Sequence, residues 1–119
     1  MPTTNGQSAN FALGQPNLTS NTSNNGGLSA STMSSPSGVF YDGSHLLVAD
    51  STNLRILIWH ELPTLNGQAA DAVFGQPDFV SANNVSVSTT TTYYPSAIFS
   101  DGARFFLADS SRILVAPIP

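Results

Sequence analysis

The chain has 119 residues, 40% of them apolar and only 8% charged, against roughly 25% charged in an average soluble domain. Seven acidic residues face three arginines and no lysine, a formal net charge of −4, which argues against the cationic surface needed to bind nucleic-acid phosphates or an anionic membrane. With no cysteine there is no disulfide framework or thiolate metal site, and no apolar stretch approaches the roughly twenty residues of a membrane-spanning helix.

In chain order, residues 1–8 are turn-rich and carry neither a basic region nor an apolar core, so no signal peptide is expected in them. Ala9 to Gly14 is a short apolar run stopped by Gly-Gln-Pro and predicts a strand. Residues 15–35 are dominated by Asn, Ser, Thr and Gly, with Leu18, Leu28 and Met33 as their apolar anchors. They predict a long, mobile polar loop. Gly38 to Tyr41 predicts a strand, Asp42-Gly43 a two-residue type I′ hairpin, and His45 to Asp50 the returning strand. Asp50 to Asn53 reads as a turn whose short polar side chains bond backbone amides. A third strand over Arg55 to His60, a loop over 61–69 and a strand over Ala70 to Gly75 follow. The remainder runs through a loop over 76–95 to strands near 97–100, 104–109 and 112–117. Every run is short, none has a helical period, and the apolar stretches are continuous rather than alternating. That is the pattern of strands covered on both faces.

Most of the chain is written twice. PSGVFYDGSHLLVADSTNLRILIW from Pro36 reappears as PSAIFSDGARFFLADSSRILVA from Pro95, and NGQSANFALGQPNL from Asn5 as NGQAADAVFGQPDF from Asn66. Two copies of a unit of about sixty residues point to a propeller or solenoid. Two stacked sheets alone would leave two apolar faces bare, more than a monomer usually exposes.

The Pro-Ser-Gly start, Asp42-Gly43, Val48-Ala49-Asp50-Ser51, and Arg55 with its aliphatic run resemble the NHL repeat, a blade of β-propellers that are usually six-bladed. Pro95, Asp101-Gly102, Leu107-Ala108-Asp109-Ser110 and Arg112 match in the second copy. The chain departs from the family in its long Ser/Thr/Asn loop and in having two copies only. The resemblance implies an all-β fold with two blades of four antiparallel strands per chain, completing a six-bladed propeller as a homotrimer with strand exchange. On that expectation Gly38–Tyr41 is innermost, His45–Asp50 and Arg55–His60 are middle strands, and Ala70–Gly75 is outermost. Residues 1–14 are then an outer strand donated to a neighbouring chain. Residues 36–75 form blade one, and 95–119 form blade two without its outer strand.

Asp50 and Asp109 precede Arg55 and Arg112 at equivalent places in the two copies. Recurrence assigns all four to building the blade, through turn capping and an Asp–Arg contact, rather than to an acid or ligand pair. His45 and His60, the only histidines, do not recur: Arg104 stands opposite His45, and Ala116 or Pro117 opposite His60. A metal or general-base site wants convergent groups, although a threefold axis would triplicate a single histidine near it. Trp59, Tyr93 and Tyr94 are the candidate ligand contacts, since aromatic rings stack on sugars and Trp59 faces Ala116 in the other copy.

The expected function is an oligomeric scaffold or binding module without catalysis or cofactor. Its partners are further copies of itself and a glycan or protein ligand, not nucleic acid or membrane. A secreted or cell-surface location in mature form is favoured over the cytoplasm. The alternatives are a lectin-like propeller, a lyase- or lactonase-type propeller enzyme with an axial metal, and an excised or engineered propeller fragment.

Overall fold

A computed structural model of the chain describes residues 3–84 and 86–119, so the first two residues of the expected 1–14 strand segment lie outside the described residues. Among the described residues seven strands form two antiparallel sheets. The first runs in the order β1 (Pro36–Tyr41), β2 (Leu46–Asp50), β3 (Arg55–Trp59), β4 (Ala72–Phe74). The second is β5 (Pro95–Ser100), β6 (Arg104–Asp109), β7 (Arg112–Pro117). The chain is therefore all-β, and no helix occurs among the described residues.

β2 and β3 are buried along their whole length, and side chains that alternate across the pleat serve two cores. Leu47, Ala49, Ile56 and Ile58 point to one face, where they meet Ile98, Phe105 and Leu107 of the second sheet. Leu46, Val48, Leu57 and Trp59 point to the other, with Met33 and Ala70. That double covering is why the apolar runs are continuous. The registers repeat as well: Val48 pairs with Leu57 as Leu107 pairs with Leu114, and a bulge follows both Pro36 and Pro95. Each proline sits at the first residue of its strand, where its missing N–H does least harm to the ladder.

The sheets are locked at both ends of β5. Ser51 Oγ donates to the Pro95 carbonyl at 2.5 Å, and Ser100 Oγ donates to Asp42 Oδ2 at 2.6 Å. Phe40 lies 4.8 Å from Phe99 and Phe74 5.0 Å from Phe105, centroid to centroid. Gly38 allows β1 and β5 to approach closely, since a Cβ there would fall 2.7 Å from the Ser96 carbonyl oxygen.

One expectation is corrected. The hairpins are not type I′, which needs positive φ at both central residues; φ is positive at Gly43 and Gly102 but not at Asp42 or Asp101. Instead Asp42 Oδ1 accepts from the Ser44 and His45 amides at 2.9 and 2.7 Å, and Asp101 Oδ1 from Ala103 and Arg104 at 3.0 and 2.8 Å. The aspartate side chain closes a four-residue loop that the dipeptide alone did not reveal.

The loop over residues 15–35 lies on the first sheet, with Met33 buried in the core. The Arg55 guanidinium donates to the carbonyls of Ser29 and Thr32 at 2.9 and 2.8 Å, and Thr32 Oγ1 donates to the Gly27 carbonyl at 2.9 Å. Ala9–Gly14, expected as a strand donated to a neighbouring chain, forms no ladder with the described residues of its own chain. Ala12 instead donates its N–H to Asn66 Oδ1 at 2.8 Å, and its carbonyl accepts from Gly67 N–H at 2.9 Å.

Asp50 and Arg55 are fully buried, with Nε 2.8 Å from Oδ2, and Asp50 Oδ1 accepts from the Ser34 amide at 2.8 Å. Asp109 and Arg112 repeat this at 2.9 Å, with Asp109 accepting from the Tyr93 and Tyr94 amides at 2.8 Å each. These are loop clips: one charge pair fastens the segment entering each sheet to the turn between its second and third strands.

Two outcomes follow for stability. Gly43→Val and Gly102→Val should each destabilise by about 1 kcal/mol or more in urea unfolding, because a β-branched residue resists positive φ. Effects near zero at both sites would refute the loop geometry. Asp50→Ala should cost about 3–5 kcal/mol by leaving Arg55 buried without its partner, whereas Asp101→Ala, on an exposed hairpin, should cost clearly less. Equal losses would mean that the buried clip contributes nothing special.

Candidate assembly faces and an aromatic pocket

The contact between the sheets is made by two unlike faces, so the repeat allows each face to be followed in both copies. In the second sheet the positions of Leu47, Ala49, Ile56 and Ile58 are held by Phe106, Ala108, Ile113 and Val115. No sheet covers them: Ile113 is 65% exposed, Val115 51%, and Phe99 beside them 52%. In the first sheet the positions of Ile98, Phe105 and Leu107 are held by Val39, Leu46 and Val48. They line an open groove of about 400 Å³ with Phe11, Leu13 and Met33, and Val39 is 68% exposed. One end of the chain thus presents a copy of the face that the other end lacks.

The N-terminal segment copies the surroundings of β4. Thr3 N–H donates to Gln7 Oε1 at 3.0 Å as Thr64 N–H does to Gln68 Oε1 at 2.9 Å. Gln15 brackets Thr22 through its amide Nε2 and Oε1, as Gln76 brackets Asn83. Gly14 lies against Met33 as Gly75 lies against Thr92, the repeat counterpart of Met33. Residues 9–14 therefore sit over the first sheet as β4 sits over the second.

Asp42, His45, Ser100 and His60 meet where the β1–β2 hairpin reaches the second sheet. His45 Nδ1 is 3.2 Å from Asp42 Oδ2, and the two imidazole rings stand edge to face at 6.1 Å. His60 Nε2 is 2.8 Å from the Pro119 carbonyl. Burial opposes ionisation of Asp42, yet the His45 amide, the Ser100 hydroxyl, the Ser44 amide and the His45 ring together hold its carboxyl well below the usual carboxylate range. The Ser100 hydroxyl is bound by the carboxylate and not by an imidazole, so the order needed to activate a serine is not present. Across the second hairpin, the Arg104 guanidinium and amide with the Ala103 amide lower Asp101 to about 2. Among the described residues no three His, Asp or Glu side chains gather as a metal would require.

The candidate ligand aromatics part company. Trp59 is 1% exposed, and its Nε1 donates to the Gln68 carbonyl at 3.1 Å. It fills the core beside Leu46 and Leu57, so its ring is not offered to a ligand. Tyr93 and Tyr94 are 47% and 60% exposed, where the first copy has Ser34 and Ser35. Tyr93 lines a pocket of about 390 Å³ with Val87, Asp109, Ser110, Ser111 and Arg112. These two faces were missed as residues by sequence reading, although the signal was there: their counterparts one repeat away are apolar too. Comparison with known proteins finds no family model that matches this chain and no curated protein that is similar to it.

Proposed function

We propose that the chain is a two-blade unit of a six-bladed β-propeller resembling those of NHL repeats, closed as a ring by three copies, and that the ring serves as a scaffold or binding module rather than an enzyme. What carries the reading is a pair of apolar faces at the two ends of the chain: one is exposed at Ile113 and Val115, and the other is exposed at Val39 and lines an open groove over the buried Leu46 and Val48. Phe106, Ile113 and Val115 reproduce the face that packs inside the chain, and Val39, Leu46 and Val48 reproduce the face that packs on it. A surface complementary to a different surface of the same molecule associates head to tail and ends only by closing a ring. The contact already made within one chain serves as the template for each contact between chains. Six blades, the number usual for the resembling family, gives three chains.

A second reading adds a ligand. Tyr93 and Tyr94 replace serines of the first copy, so the blade can be built without them; both are exposed, and Tyr93 lines a pocket with hydroxyl and guanidinium donors. An exposed aromatic face beside such donors suits a saccharide, whose C–H face stacks while its hydroxyls are hydrogen-bonded.

Native mass spectrometry should give three times the 12.4 kDa of one chain. Ile113→Glu with Val115→Glu, both exposed in a single chain, should give folded monomers. A wild-type monomer at micromolar concentration, or a double variant that still assembles, would overturn the ring. On a glycan array, Tyr93→Ser with Tyr94→Ser should abolish signal while the native mass is kept. Signal unchanged by that replacement, or no signal from the wild type, would remove the saccharide reading.

A further inference from the structure

We infer that residues 9–18 of one copy complete the second sheet of the next, ladder to ladder in a fixed register, with the Leu18 carbonyl covering Arg112. The inference rests on the head-to-tail reading above and adds which atoms join.

In the first sheet, β3 is covered by β4 in the register Ile56–Phe74, Leu57–Val73, Ile58–Ala72. Carried one repeat along, β7 supplies Ile113, Leu114 and Val115, and the N-terminal segment supplies Leu13, Ala12 and Phe11. Among the described residues β7 has no second neighbour in its own chain, so its outer edge is an open row of amides and carbonyls, which invites an added strand. The N-terminal segment has the matching edge. Ala12 spends both main-chain groups on Asn66 and Gly67. Main-chain groups alternate between edges along an extended segment, so those of Phe11 and Leu13 face the opposite side, toward a partner's β7.

The arginines point the same way. Arg55 collects both loop carbonyls, Ser29 and Thr32, on Nη2, and its Nη1 donates to the Phe79 carbonyl at 2.6 Å. Arg112 has the loop carbonyls but, among the described residues, no third: Nη1 donates to Ser88 and Nη2 to Thr91. Its side chain is 27% exposed where that of Arg55 is fully covered. The counterpart of Phe79 is Leu18, which lies at the other end of the molecule, beyond the segment that seats on the first sheet. Only a second copy places a Leu18 carbonyl over Arg112. The partner's strand and the missing carbonyl arrive together.

In this register Ala12 and Leu114 form a non-hydrogen-bonded pair, the type with the closer Cα atoms, at about 4.5 Å, within the usual span of a disulfide. The chain has no cysteine, so Ala12→Cys with Leu114→Cys can be read without background. Oxidation of the full-length double variant should give chains linked in twos and threes on a non-reducing gel, with the native mass unchanged. Ala12→Cys with Val115→Cys, whose side chains face opposite sides of the sheet, should link poorly. Each single variant should keep the native mass of the wild type, which shows that the substitutions do not prevent folding. If the wild type is a ring and the 12/114 pair does not link, or links no better than the 12/115 pair, the strand donation is wrong and the stacking of faces stands. If the wild type is monomeric, both fall.

Discussion

Leu47, Ala49, Ile56 and Ile58 of one sheet lie against Ile98, Phe105 and Leu107 of the other, and much of the structure depends on this contact. Each fully buried aliphatic or aromatic side chain contributes about 1.5–3 kcal/mol relative to exposure, so the contact fixes how two otherwise separate sheets sit. It joins unlike faces. A contact between like faces would be spent after one pairing, whereas unlike faces leave one of each kind unused at the two ends. The exposed Ile113 and Val115, and the groove beneath Phe11 and Leu13, are consequences of that asymmetry rather than separate features.

The second constraint is polar. A chain with so few charges places two of its three arginines at the same repeat position, and each fastens a Ser/Thr-rich loop to the turn of its sheet. Arg55 is enclosed by an aspartate and three main-chain carbonyls, so its charge is matched and each of its three nitrogens has a partner, the condition under which burying an ion pair is tolerable. Among the described residues no buried side-chain nitrogen or oxygen lacks a hydrogen-bond partner. Hydrogen bonds to backbone thus hold the loops, and in the first copy the burial of Met33 adds an apolar anchor.

Two of the differences between the copies bear on function. Ser34 and Ser35 become Tyr93, which lines a pocket, and Tyr94, and His45 and His60 have no histidine counterparts. The histidines are engaged with Asp42 and with the Pro119 carbonyl, which makes them part of the join between hairpin, second sheet and C-terminus. The tyrosines have no comparable task in the sheets, and on that difference the ligand reading rests.

Local chemistry determined a good deal by itself. Short apolar runs between turn residues placed all seven strands to within a few residues, since neither a helical period nor a long run competes with them. The repetition of Asp50–Arg55 as Asp109–Arg112 marked both pairs as structural, because a side chain needed in each copy serves what the copies share. Other features were decided only by tertiary structure. A run such as LLVAD or RILIW is apolar on both faces, so nothing in it says which residues will meet the other sheet and which will meet Met33. Trp59 looked free because Ala116 stands in its place in the other copy, yet the space over the first sheet is wide enough to take the indole. The hairpin type turned on side-chain oxygens of Asp42 and Asp101 that satisfy amides two and three residues on. Ala9–Gly14 has the composition of a strand, but a strand is defined by the edge it pairs with, and no such edge lies within reach in its own chain.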